Sequence, residues 1–203
     1  MVNKCMFPPE LRTMAIVPRW NILLTTIQDT VASHTCFVAL YAYQIAEIIK
    51  WKGPRDYLLM NALMHDNDET ISSDITGPFK PVVVTAEVQD YLDARTTERM
   101  EGLIHTYWDL EEKQTDDHVR EADRIVAAAD KLDALLFLIM NQRMGNTCVE
   151  PAIRGGHKSL EAAWRCLPAS EDEINRTWQT VITPAIDDHY RRGCRGFAPG
   201  VNI

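Results

Sequence analysis

The stretch from Asn61 to Lys80, NALMHDNDETISSDITGPFK, decides how this chain folds and where its chemistry lies. It continues an apolar run that starts at Tyr57, Leu58, Leu59 and Met60, and after Ala62, Leu63 and Met64 it turns into His65 and Asp66. Asp68, Glu69 and Asp74 follow, and Gly77 with Pro78 breaks the pattern. Ionised groups gathered at the end of a buried helix carry a heavy desolvation cost unless a cation or hydrogen bonds offset it. A histidine beside an aspartate can share one divalent ion, and Glu69 stands one helical turn on, toward the His65 face. The stretch therefore predicts a central helix that runs into a metal site.

Outward from it, the chain reads as helices throughout. Pro8, Pro9 and Glu10 start a short helix through Ile16 that Pro18 closes, and Arg19 to Ile22 follow as loop or extended chain. Thr30 can cap a helix that opens at Val31, carries Phe37, Val38, Tyr41, Ile45 and Ile48, and stops at Gly53 and Pro54. A third helix spans Arg55 to about His65, apolar on most sides and hence central. Pro78 and Pro81 bracket a turn. Residues 85–108 read as one amphipathic helix, 119–144 as a long one with an apolar second half, and 158–166 and 171–192 as two more. Gly145, Pro151, Gly155 and Gly156 mark a loop, and Val82 to Val84 is the one hint of a strand. The expectation is an all-α bundle, residues 1–203 forming one domain with its core over about 14–144 and C-terminal helices over 158–192.

Composition limits the function. With 46% apolar and 25% charged residues the chain is ordinary for a globular protein. A formal net charge of −8 argues against binding to a nucleic-acid polymer, which needs a basic surface. It leaves room for a nucleotide held by a few local cations. No apolar run approaches a membrane span, and Met1 to Cys5 lacks a signal-peptide layout. Five cysteines, an odd number without a CxxC pair, read as reduced thiols in a cytoplasmic protein.

Two other residues can complete the metal site. His34 falls in the first turn of the helix after Thr30, and Asp130 sits among Ala127, Ala128, Ala129 and Leu132, where a carboxylate is costly to bury alone. Two histidines and two aspartates from three helices suit a hard-to-borderline divalent ion with open positions for water. Asp133, one turn after Asp130, reads as a surface or helix-pairing charge. Glu111, Glu112, Asp116 and Asp117 read as a solvated loop, and His105, His118, His157 and His189 lack matching partners.

The order His34, His65-Asp66, Asp130 resembles that of the HD-domain phosphohydrolases, an all-helical metal-dependent superfamily. An isolated His-Asp pair is common by chance, but here more of the pattern is present. Arg19 and Trp20 precede His34, Trp20 by fourteen residues, and Glu69, Asp74, Pro78 and Lys80 follow His65 at four, nine, thirteen and fifteen. The set, over roughly residues 14–144, is similar to the small nucleotidase branch, which holds bacterial 5′-deoxynucleotidases and phage dATP triphosphohydrolases. Asn67 and Asp68 depart from the small or apolar residues common in that segment.

Roles follow in part from chemistry and in part from the resemblance. A divalent ion (Co, Mn, Zn or Ni, with Mg as an escort of the substrate phosphates) lowers the pKa of bound water and polarises a phosphoryl oxygen. Glu69 is the candidate to orient or deprotonate that water, and Asp66 joins it in the catalytic set. Arg19 and Lys80 can neutralise phosphate charge. Trp20 offers a flat face to a base that Pro78 could close from the other side. The resemblance implies that Asp74 accepts from the sugar hydroxyl and that Ile22 crowds the purine 2-position; plain apolar contact is the ordinary reading of Ile22. These residues point to a metal-dependent phosphohydrolase of deoxynucleotides, either a dATP triphosphohydrolase or a 5′-deoxynucleotidase, working as a homodimer or hexamer. The reading from another class is a nucleotide sensor without turnover, against which Glu69 beside all four ligands argues.

Overall fold

The computed structural model describes residues 9–75 and 80–192, and the architecture over them is all-α. A 3-10 turn, Pro9–Ala15, leads into a loop that closes on itself through an isolated bridge between Pro18 and Thr30. Then come α1 (Val31–Ile48), α2 (Arg55–Met64), α3 (Glu69–Ser72), α4 (Lys80–Val83), α5 (Ala86–Arg99), α6 (Glu101–Glu111), α7 (Asp116–Arg143) and α8 (Glu150–Arg165). The last helical stretch runs from α9 (Glu171–Thr177) through a π-helical turn at Trp178–Ile182 into α10 (Thr183–Arg192). No helix among the described residues is long and apolar enough to cross a membrane.

Three helices carry the architecture that matters for function. Thr30 caps α1 in a reciprocal capping box with Ser33, and Thr115 caps α7, whose first turn adds Asp116 and Asp117 to complement the helix dipole. Both helices use small residues where they cross the core, Ala39, Ala42 and Ala46 in α1 and Ala122, Ala128 and Ala129 in α7, all buried. Small side chains let helix axes approach closely, so polar groups hung from α1, α2 and α7 can meet. A corner fixes the angle of α2 against the other two. The Arg55 guanidinium donates to the carbonyls of Trp51 (2.8 Å) and Gly53 (3.1 Å), and the Trp51 indole N–H donates to Glu121 of α7 at 2.7 Å. Gly53 is needed here, because a Cβ would stand 2.0 Å from the Trp51 ring.

Several sequence-based boundaries shift. Residues 85–108 are two helices, broken at Met100, which is fully buried with φ −115° and ψ 26°. The Val82 to Val84 triplet lies in and just after α4, not in a strand, and nothing pairs with it as a strand among the described residues. Helix α7 opens at Asp116, so Asp116 and Asp117 belong to its first turn, not to a loop, and Glu111 closes α6. Helix α8 begins at Glu150 and contains both Gly155 and Gly156. The second lies against Leu135 of α7, where a Cβ would come to 3.3 Å, so the glycine marks close packing and not a break. The 171–192 helix runs through the π turn. Pro78 lies outside the described residues.

Candidate metal and substrate site

His34 enters the site from the first turn of α1 and is fully buried, a placement set by the Thr30 cap. His65 and Asp66 follow the last residue of α2, and Asp130 projects from α7. The structure brings these side chains together. His34 Nε2 lies 3.4 Å from Asp66 Oδ2 and 3.3 Å from Asp130 Oδ1, and His65 Nε2 lies 3.2 Å from the same Asp66 oxygen. One donor atom each from His34, His65 and Asp66 falls within 4.8 Å of the others. Asp130 is tied to Lys131 Nζ at 2.6 Å through its other oxygen.

The donor set fits a divalent cation. Both Nε2 atoms are buried without a hydrogen-bond partner, while both Nδ1 atoms are engaged, His65 with the Ala62 carbonyl at 2.7 Å and His34 with Asp133 Oδ2 at 2.7 Å. Buried polar atoms are rarely left unpaired, so two orphaned imidazole nitrogens facing shared carboxylates call for an electrophile. Ligands about 2.0–2.2 Å from one ion stand about 3.0–3.5 Å apart, the range of the contacts here. Charge points the same way. Burial would raise Asp66, but His65, Arg19 and Lys80 together take its carboxyl down to about 2. Burial pulls His65 down, yet Asp66 and Asp130 with the Ala62 carbonyl more than offset this, leaving it above its usual value. The pocket favours positive charge.

Glu69 opens α3 beside this cluster, 6% exposed, with Oε2 unpartnered. Burial, followed by the charges of Asp66 and Asp74, pushes its carboxyl up to about 8. Arg19 reaches Asp66 Oδ2 at 3.4 Å and is steadied from behind by Asp29, whose carbonyl accepts the Arg19 N–H at 3.1 Å and whose carboxylate lies 3.9 Å from Nε. Trp20 has a left-handed backbone (φ 64°) and gives its N–H to Asp74 Oδ2 at 2.8 Å, while the Asn21 side chain donates to the Asp74 carbonyl at 3.0 Å. The Trp20 ring is half-buried and stacks on Phe137 with centroids 5.7 Å apart, so the core already takes one of its faces. Ile22 is 63% exposed on the same loop, so it is not core packing. Lys80, half-buried, lines an open pocket of about 430 Å³ with His65, Asn67, Asp68 and Tyr107.

Two positions escaped the sequence reading. Of the two readings of Asp133, a surface or a helix-pairing charge, the second holds: it is buried and ties α7 to α1 by bonding His34, because Asp130 and Asp133 are one turn apart and both face α1. Burial pushes it up to about 7, opposed by Arg19 and reinforced by Asp130. Asp29, also buried, holds Ser33 Oγ at 2.7 Å as well as Arg19. Its position just before the Thr30 cap is a signal that could have found it. The alternation Ala128, Ala129, Leu132, Leu135, Leu136 could have shown that Asp133 lies on the buried side of α7.

The likeness to known proteins agrees with this geometry. By fold, the chain resembles the HD phosphohydrolase DatZ of cyanophage S-2L, solved with dA and one catalytic Zn²⁺ ion, at TM-score 0.65 and 19% identity over 88% of this chain and 95% of that one. An HD-domain phosphohydrolase from Listeria innocua aligns at TM-score 0.62 and 18% identity over 87% and 86%. A protein from Pyrococcus horikoshii OT3 does so at 0.59 and 19% over 90% and 95%. No curated protein matches the chain. Residues 6–169 match the family described as YfbR-like 5′-deoxynucleotidase. An HD-type fold that gathers histidines and aspartates as a cation would need them, and a family match over most of its length, place this chain in the YfbR-like 5′-deoxynucleotidase family, as a metal-dependent nucleotide phosphohydrolase.

Proposed function

We propose that the protein hydrolyses deoxynucleotides at the phosphorus next to the sugar, and that dATP is its substrate, leaving as deoxyadenosine and triphosphate. The observation that carries the hydrolytic part is two orphaned imidazole Nε2 atoms at Asp66 together with a buried Glu69 whose Oε2 is unpartnered and which feels the Asp66 charge. His34, His65, Asp66 and Asp130 would hold a single divalent ion, with Zn, Co, Mn and Ni all compatible with the N₂O₂ donors. Such an ion would lower the pKa of bound water and polarise a phosphoryl oxygen. Glu69 takes and returns a proton at Oε2, a task suited to a carboxyl poised near neutral pH. Arg19 binds phosphate oxygens through its planar fork, and Lys80 adds a point charge to the outer phosphates, which Mg could accompany. Asp74 accepts from the sugar hydroxyl while it anchors the Trp20 backbone. Trp20, with Pro78, takes the base, and Ile22 stands against the purine 2-position.

A second reading is hydrolysis of deoxynucleoside monophosphates to phosphate, which the family description favours. Both readings act on a soluble nucleotide in the cytoplasm, in keeping with the free thiols of Cys36, Cys148 and Cys166. Self-association belongs to the same proposal. It is supported by the outward side of α1, where Phe37, Leu40 and Tyr43 are between 42% and 55% exposed and no acidic or basic residue occurs before Glu47.

The deciding experiment measures product release from a panel of dNTPs and dNMPs with each divalent ion in turn. Triphosphate released from dATP, faster than phosphate from dAMP, is the expected result. Faster turnover of dAMP gives the protein to the monophosphatase reading, and no turnover of any nucleotide with any ion leaves only a sensor.

A further inference from the structure

The two histidines of the cluster are held in different ways. His65 Nδ1 meets a neutral backbone acceptor three residues back, whereas His34 Nδ1 meets the Asp133 carboxyl 99 residues away at 2.7 Å. Both members of the second pair are withdrawn from water, with His34 at 0% and Asp133 at 6% exposure. Asp130 and Asp133 thus bracket one imidazole ring from its two ends. Asp130 Oδ1 and Asp66 Oδ2 face Nε2, and Asp133 Oδ2 faces Nδ1.

We propose that Asp133 is a positioning residue that fixes His34 with its proton on Nδ1 and its lone pair on Nε2, and so sets the affinity of the ion site without touching the ion. This rests on the metal-dependent reading given above. A cation at Nε2 adds positive charge beside Asp133 and holds it ionised, and an ionised carboxylate only accepts hydrogen bonds, so in the loaded site the partner nitrogen at 2.7 Å must donate. With the proton on Nε2 instead, the Nδ1 lone pair would face an anion in a site closed to water. The ring has no freedom to turn away, because its backbone lies in the capped first turn of α1 and its side chain is enclosed. A carboxylate behind an imidazole also makes the opposite nitrogen a stronger donor. A cation at Nε2 in turn strengthens the Nδ1–H donor and keeps Asp133 ionised. The backbone carbonyl behind His65 orients its ring but contributes no full charge. His34 is therefore the stronger ligand of the two, and the difference comes from α7.

Asp133→Asn tests this with almost no change in shape. An amide can present its NH₂ to Nδ1 and shift the ring proton to Nε2, or it can accept more weakly through its oxygen. Either way the ion is lost more easily. Competition for Zn²⁺ between a chromophoric chelator and the full-length protein should show a dissociation constant raised about 10–100-fold. Thermal unfolding of the chelator-treated proteins shows whether both are folded. Because Asp133 acts through His34, adding Asp133→Asn to His34→Gln should change the remaining affinity by no more than about twofold. Nitrogen-15 NMR of the wild type at about pH 9, above the range in which Asp133 holds a proton, gives a readout that needs no variant to fold, with the neutral His34 ring expected to be protonated at Nδ1. Equal Zn²⁺ affinity of wild type and Asp133→Asn, an undiminished effect in the His34→Gln background, or a ring protonated at Nε2 each overturns the proposal alone. A wild type that binds none of Zn²⁺, Co²⁺, Mn²⁺ or Ni²⁺ overturns the functional reading and the proposal together.

Discussion

His34, His65, Asp66 and Asp130 hang from or directly beside three helices packed on one another, whereas Arg19, Trp20, Ile22 and Asp74 hang from loops. In the first region, position is a by-product of the core. Val38, Ala42, Ile45, Leu58, Ala62, Leu132 and Leu135 bury their side chains between the same helices that carry these four residues. In the second, position depends on a few identifiable bonds: Arg19 to Asp29, and Trp20 to Asp74. The helical region can hold polar atoms without partners because it cannot rearrange to satisfy them, and that rigidity suits a cation site. The loop region also buries two such atoms, Arg19 Nε and Trp20 Nε1, but its backbone is tied by a few hydrogen bonds and Ile22 is left exposed, which suits contact with a changing substrate. Changes in the two regions should therefore fail in different ways.

The largest expected effect is on the ion itself. Asp66→Ala should abolish both metal content and activity, because Asp66 Oδ2 is the oxygen shared by His34 and His65. Full metal occupancy of that variant would break the assignment. Next, Glu69→Ala should retain the ion and the fold while turnover falls by roughly 10²–10⁴-fold, the scale for a general acid/base. Near-normal kcat in a metal-loaded variant would remove Glu69 from the mechanism. The same residue gives a test of stability. Its folded carboxyl titrates near 8 against an ordinary 4.5, so folding favours the protonated form. In chelator-treated protein that contribution is intact below about pH 4.5 and is lost as the pH rises toward 8. Glu69→Gln keeps a neutral side chain throughout, so its Tm advantage over wild type should grow between pH 5 and 9. An advantage that does not vary with pH would mean that Glu69 is not held protonated.

Gly53→Ala sharpens the contrast from the side of the scaffold. A methyl group 2.0 Å from the Trp51 ring must displace the corner that sets α2, at a cost of about 1–3 kcal/mol, the range for an overpacked core. Denaturant unfolding measures it, and no loss of stability would show that the corner is slack. The smallest effect belongs to the loop. Ile22→Ala should leave stability unchanged, since the side chain is largely in solvent, and should raise kcat/KM for dGTP several-fold relative to dATP, as removing a steric wall would. An unchanged ratio would leave Ile22 without a role in base choice.

The helical region was the more legible in sequence for the same physical reason. The 3.6-residue period and the Thr30 cap fix where His34 lies, and an apolar run ending in His65-Asp66 fixes the second pair. Asp133 stayed between a surface and a helix-pairing charge because three-residue spacing places it with Asp130 but does not say which way α7 is rolled against α1; only the packing of its alanines and leucines does. The break at Met100 was hidden because a buried methionine continues a helical pattern as well as it ends one. Asp29 was passed over, although it directly precedes the Thr30 cap. The loop residues had spacing but no periodicity, so their geometry depends on long-range bonds, such as Trp20 to Asp74 across 54 residues, that no local pattern announces.

The uncharged outer side of α1 also has a colloidal consequence. In the proposed self-association, Phe37, Leu40 and Tyr43 would attract one another between molecules at short range, against the longer-range repulsion of eight net negative charges. Salt shortens that repulsion to about 10 Å at 0.1 M and about 3 Å at 1 M, and acidification toward the carboxylate range removes the charge itself. The protein's solution behaviour is thus set by a balance that buffer choice controls directly. On the proposed self-association, neutral to alkaline pH with little salt should disperse the molecules, and mildly acidic or salty buffers should bring their α1 faces into contact.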